Sequence, residues 1–106
     1  DERATFDAAI FSHGARGWWS ILKEVEADPT EIEDLVSGIE WITLELTTRF
    51  LRDALEESYF GWDESQFKRS GEHQLQRAMG QLALADSIAE QKPTLEKLWQ
   101  QILVSV

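Results

Sequence analysis

Arg49 has an acid one helical turn to either side, Glu45 and Asp53, and ten residues further on stands Tyr59. Two chemistries fit this spacing. In the first, Glu45, Arg49 and Asp53 form an exposed i,i+4 ladder, each pair contributing about 0.3–0.5 kcal/mol. In the second, the acids orient the Arg49 guanidinium as a planar donor aimed at a ligand oxygen. Tyr59 would then add a stacking face and a hydroxyl. Aromatic rings beside an arginine are a common way to hold a sugar, but spacing alone leaves both readings open.

No other grouping points to catalysis. His13-Gly14 falls within a helical stretch with no aspartate next to it, and His73 opens a later helix, where its ring can cap or bond the loop before it. Neither accompanies a recognisable serine or cysteine nucleophile motif or a metal-ligand spacing, so both read as structural. The six glycines are scattered and form no phosphate loop. Glu31, Glu33 and Asp34 make an acid-rich turn that lacks the alternating ligands and glycine of a calcium loop, and they read as helix capping. Glu56-Glu57 ends a helix, where negative charge opposes the dipole. The chain is therefore expected to contain no catalytic residue and no metal site.

The formal charge of −10 argues against nucleic acid and anionic membrane surfaces as partners, since both need a basic face. There is no cysteine, which excludes disulfides and thiolate metal sites and fits a cytoplasmic location. No apolar run is long enough for a membrane span. The 106 residues suit a single domain with a modest core. The sequence opens on Asp1-Glu2-Arg3, without a methionine, and is expected to be a piece of a longer protein.

The elements that must position these residues all read as helical, with no alternating β-branched run and no hairpin turn signal. A first helix is expected from Thr5, as cap, to about Val25, with Trp18 and Trp19 about 100° apart around its axis. Gly14 and Gly17 weaken its middle and invite close approach of another backbone. Glu26-Ala27-Asp28-Pro29 is the expected first break, since the residue before a proline is pushed away from helical geometry. Thr30 and Glu33 match a capping box for a second helical segment that runs to about Glu57, with a joint at Ser37-Gly38. Its apolar stripe, through Leu44, Leu46, Phe50, Leu51 and Leu55, makes it the expected centre of the packing. Residues 58–72 form a connector too aromatic to be a solvated linker, with Asp63 capping a turn through Phe67. A third helix spans about 72–90, buried through Leu75, Ala78, Met79, Leu82, Ala85 and Ile88. Pro93 then separates a last helix, 93–103. The fold class is all-α, a compact bundle of four to five helices.

Two stretches carry a family resemblance. LELTTRFLRDALEESYF, followed by EHQLQRAMGQLALADSI, resembles the C-terminal helical region of the aminoglycoside phosphotransferase / N-acetylhexosamine kinase-like family. There an R-F-L-x-D stretch leads to a Y-F pair, and a His-Asn-Leu-x-Arg-x-x-x-Gln helix follows, matched by His73, Leu75, Arg77 and Gln81. TFDAAIFSHGARGWWSIL is similar to the helix that precedes them. The chain departs from the pattern at Gln74, where the family commonly has Asn, at Glu56-Glu57-Ser58, and in a longer loop from Gly61 to Gly71. It also lacks the family's His-Gly-Asp loop, since Ala15 follows His13-Gly14, and its magnesium-binding aspartate.

The resemblance implies the C-terminal helical subdomain of a protein-kinase-like fold, inactive alone, with Arg49 and Tyr59 touching a sugar acceptor. ATP and magnesium are implied for the parent enzyme and not for this chain. The expected partners are the N-terminal part of that parent and the small-molecule sugar acceptor. On this reading Trp18 or Trp19 is exposed, on a face that the rest of the parent covers. The competing reading is a stand-alone acidic helical module that binds a protein partner.

Overall fold

A computed structural model describes residues 3–25 and 28–104. Every regular element among them is helical: α1 (Ala8–Leu22), α2 (Pro29–Glu33), α3 (Leu35–Glu56) and α4 (Ser70–Val104). The all-α class and the count of four agree with the sequence. The shape is elongated rather than compact, 51 × 26 × 21 Å, with a radius of gyration of 16.7 Å. A compact chain of this length would have a radius near ~13 Å.

The helix starts are set by aspartates. Asp7, not Thr5, caps α1, its carboxylate accepting the N–H groups of Ala9 and Ile10 at 2.9 and 3.0 Å. Asp28, not Thr30, caps α2 by accepting the Thr30 N–H at 2.8 Å, with Pro29 in the first turn, where its missing N–H costs nothing. The joint in the second segment falls at Asp34, between α2 and α3, rather than at Ser37-Gly38. Gly38 is accommodated inside α3 with open space around it.

The organising element is α4, on which both α1 and α3 pack. It is one helix of 35 residues and does not break at Pro93. Pro93 lacks the N–H that would bond the turn before it. It sits on the exposed side, while Ile88, Leu95, Trp99 and Ile102 continue one buried face past it. Each such buried side chain contributes about 1.5–3 kcal/mol, enough together to hold the helix through a single missing bond.

α3 runs antiparallel to α4: Gly71 meets Ala54 at one end, and Lys92 reaches Glu40 at 3.2 Å further along. The face of α3 turned inward holds Val36, Thr43, Thr47 and Asp53. The two threonines are tolerated there because their hydroxyls donate to the carbonyls of Ile39 and Thr43, at 2.8 and 2.9 Å. The leucines expected in the core are displaced by this register. Leu44, Leu51 and Leu55 are exposed, Leu55 at 88%, and so are Leu75, Met79 and Leu82 of α4.

α1 lies along α4 in the same direction. Phe6 donates its N–H to Ser87 Oγ and accepts from Gln91 Nε2, and further on the rings of Trp18 and Trp19 meet that of Trp99 at 5.8 and 6.0 Å. Trp99 is fully buried, and its indole N–H donates to the Ile32 carbonyl at 2.6 Å, which ties α2 to the same core. Trp19 Nε1 is buried without a hydrogen-bond partner, a cost of about 1–3 kcal/mol. Trp18 is 43% exposed.

Candidate functional site

The last two turns of α3 and the chain just beyond them form an open depression of about 490 Å³. Arg49, Arg52, Asp53 and Glu56 line one side, and Ser58, Tyr59 and Phe60 the other. The two residues singled out from the sequence, Arg49 and Tyr59, are thus brought to the same place.

Asp53 makes this possible. Its side chain turns inward and is 3% exposed. Oδ1 accepts the N–H groups of Ser58 and Tyr59 at 2.8 and 2.9 Å, and Oδ2 accepts that of Phe60 at 2.9 Å. Glu57 ends α3 in the left-handed region, φ 52°, which reverses the chain so that these three donors point back at the carboxylate. The Phe60 N–H, helped by those of Ser58 and Tyr59, holds the Asp53 carboxyl below the usual carboxylate range, against the opposing effect of burial. The expected Glu45–Arg49–Asp53 ladder is therefore only half present. Arg49 Nε donates to Glu45 Oε1 at 2.5 Å, while Asp53 serves the turn instead. Arg52 pairs with Glu56 at 3.1 Å.

Tyr59 is 74% exposed, its ring 4.8 Å from that of Phe60, which in turn lies 4.6 Å from Phe50. Phe50 and Phe60 are half-buried, so they anchor the corner while Tyr59 faces outward. The first turns of α4 support the connector from below. His73 Nδ1 accepts the Asp63 N–H at 3.0 Å, and its ring stacks on Phe67 at 4.3 Å with 7° between planes. Burial, then the charge of Arg77, push the His73 imidazole below its ordinary range, and the charge of Asp63 opposes them. Gln74 is fully buried. It donates to the Gly61 carbonyl at 3.2 Å and accepts from Arg77 Nη1 at 3.0 Å, while Arg77 reaches the same carbonyl at 2.6 Å. Asp63 caps its turn as expected, accepting the Ser65 N–H at 2.9 Å.

Three residues that shape the site, Asp53, Glu57 and Gln74, were not legible as such in the sequence. Glu57 left a trace, an acid at a helix end where the dipole disfavours it. Asp53 was masked by its i,i+4 distance from Arg49, and Gln74 stood out only as a departure from the family pattern. His13 is exposed on α1, remote in sequence from the corner.

Chemically, the depression offers guanidinium and phenol donors, a carboxylate acceptor in Glu56 and an aromatic face. Among the described residues no three His, Cys, Asp or Glu side chains come together as a metal site. Compared with known proteins, the chain matches no family model, no curated protein and no solved structure.

Proposed function

We propose that this chain is the acceptor-binding helical part of an ATP-dependent small-molecule phosphotransferase of the sugar or aminoglycoside type. The reading follows the R-F-L-x-D and Y-F resemblance, and one observation carries it. Arg49 and Tyr59 line a single open depression, held there by the Asp53 turn. Arg49, fixed by Glu45, donates to ring hydroxyls, and Tyr59 stacks on the sugar's apolar face. Their contribution is orientation of one hydroxyl for transfer, which is catalysis by positioning. Phosphoryl transfer itself belongs to the nucleotide-binding part of the parent enzyme.

Titration with a neutral hexose, an N-acetylhexosamine and an aminoglycoside, followed by two-dimensional NMR, tests the proposal. Shifts are expected at Arg49, Ser58 and Tyr59 with one of the three, and Tyr59→Ala should remove them. Absence of any localised shift at tens of millimolar ligand would sink it.

A second reading, an acidic helical module that binds another protein, is favoured by the exposed Ile10, Ile21, Trp41 and Ile42.

A further inference from the structure

α1 and α3 both rest on α4 but make no close backbone approach to each other. The space between them is an apolar groove. One part, about 580 Å³, lies among Trp18, Leu22, Ile32, Leu35, Ile39 and Ile42. A second part, about 290 Å³, continues along α1 past Gly14 and Phe11 and shares Trp18, Leu35 and Ile39 with the first. From Phe11 to Leu22 the groove follows α1 for about 16 Å, roughly three helical turns.

Three features say what fits there. The glycines flanking the groove, Gly14 on α1 and Gly38 on α3, have open space where a Cβ would stand, so another helix can approach both walls closely. The apolar lining reaches outward to an exposed side chain, Ile42, at 69%. The titratable residues that line the groove are both acidic, Glu31 and Asp34. Asp34 makes no side-chain cap bond to α3, which leaves its carboxylate available.

We infer that the groove between α1 and α3 is a docking site for an amphipathic helix with an apolar stripe and a basic flank. The apolar stripe would seat between Trp18 and Ile42, in the helix-in-groove manner. The basic flank would lie over Glu31 and Asp34, where charge complementarity sets orientation and speeds association. A second copy of this chain is the poorer occupant, because each copy carries a charge of −10 and would bring like charge to the acidic wall. The inference rests on the groove alone and stands whether or not the depression at Tyr59 binds a sugar.

The test uses a designed eighteen-residue helix of leucine and lysine, leucines at i, i+3, i+4 and i+7, beside its glutamate-for-lysine counterpart and a scrambled leucine–lysine peptide. Binding is read by calorimetry and by tryptophan fluorescence, and self-association by sedimentation equilibrium. The leucine–lysine helix should bind in the micromolar range. Ile42→Asp should weaken it about tenfold or more, as removal of a central apolar anchor does. Leu55→Asp, the same charge change at an exposed site far along α3, should leave binding unchanged. The double variant Glu31→Gln with Asp34→Asn should weaken it several-fold. Failure of the helix to bind, equal binding of the glutamate or scrambled peptide, or indifference to Ile42→Asp overturns the inference. So does a concentration-dependent dimer that Ile42→Asp disperses, which would make a second copy the occupant.

Discussion

Glu57, at the end of α3, caps the start of α4: its Oε1 accepts the Gly71 N–H at 2.9 Å. The same carboxylate receives Arg69 Nε and Nη2 at 3.2 and 3.1 Å. An acid that opposes the dipole of its own helix thus serves the positive end of the next. The contact requires glycine at position 71. A Cβ there would sit 2.5 Å from the Ala54 carbonyl oxygen and 2.8 Å from Glu57 Oε1.

Gly71→Ala should therefore destabilise the fold by about 1–3 kcal/mol, the range for overpacking at a fixed backbone contact. Gly17→Ala is the contrast. Nothing lies within 4 Å of its would-be Cβ, and in a helix interior the change should stabilise by about 0.5–1 kcal/mol. Paired urea denaturation curves check both signs.

Asp53→Ala should lower the melting temperature far more than Arg49→Ala. The first leaves three part-buried backbone donors without their buried acceptor and frees the Tyr59 corner. The second removes one exposed pair, whose loss shifts Tm by roughly a few degrees at most. Thermal unfolding of the two variants tests this, and equal losses would restore the surface-ladder reading of Asp53.

Stability should fall as the solution is acidified, in two stages. His73 acts first. Its imidazole titrates below its ordinary value because burial, then the charge of Arg77, favours the neutral ring. That contribution is complete above the unfolded pKa, near 6.5, and is lost as pH falls through the lower folded value. Asp53, Glu57 and Asp63 follow. The Phe60 N–H, the Arg69 guanidinium and the Ser65 hydroxyl are their respective chief causes of a depressed carboxyl pKa. Their contributions are complete above the ordinary carboxylate range and disappear below it. Denaturant midpoints measured across pH should show both stages, and His73→Gln should flatten the upper one.

Gln74→Leu should cost about 1–3 kcal/mol, because the fully buried Gln74 loses its bonds to the Gly61 carbonyl and from Arg77, each contributing about 0.5–1.5 kcal/mol. Gln74→Asn should recover little, since the shorter side chain falls short of the loop. Pro93→Ala should act the other way, restoring an N–H at an exposed helical position and raising Tm. Circular dichroism melts read all three.

Much of the local structure was legible from the sequence. The helical class, the break at Asp28-Pro29, the Asp63 turn and the bond from His73 to the loop before it all depend on groups within a few residues, or on one ring facing one loop. Cap positions were off by two residues, Asp7 for Thr5 and Asp28 for Thr30, because several residues near each start can offer an oxygen and only the realised backbone selects one. The packing of helix faces was less legible. Periodicity gave α3 an apolar stripe through Leu44, Leu51 and Leu55. The structure instead buries Thr43, Thr47 and Asp53, whose polar atoms find backbone partners and which allow close approach to α4.

What the sequence determined by itself is that this chain is helical, acidic and cysteine-free, with Arg49 and Tyr59 as its candidate binding pair. The tertiary structure alone decided that α4 is the central helix and runs unbroken through Pro93, that Asp53 faces inward, and that Arg49 and Tyr59 share one depression. Helix formation rests on bonds between residues i and i+4, which a linear sequence displays. Which face is buried depends on what packs over it from some tens of residues away, and only the folded chain brings those surfaces together.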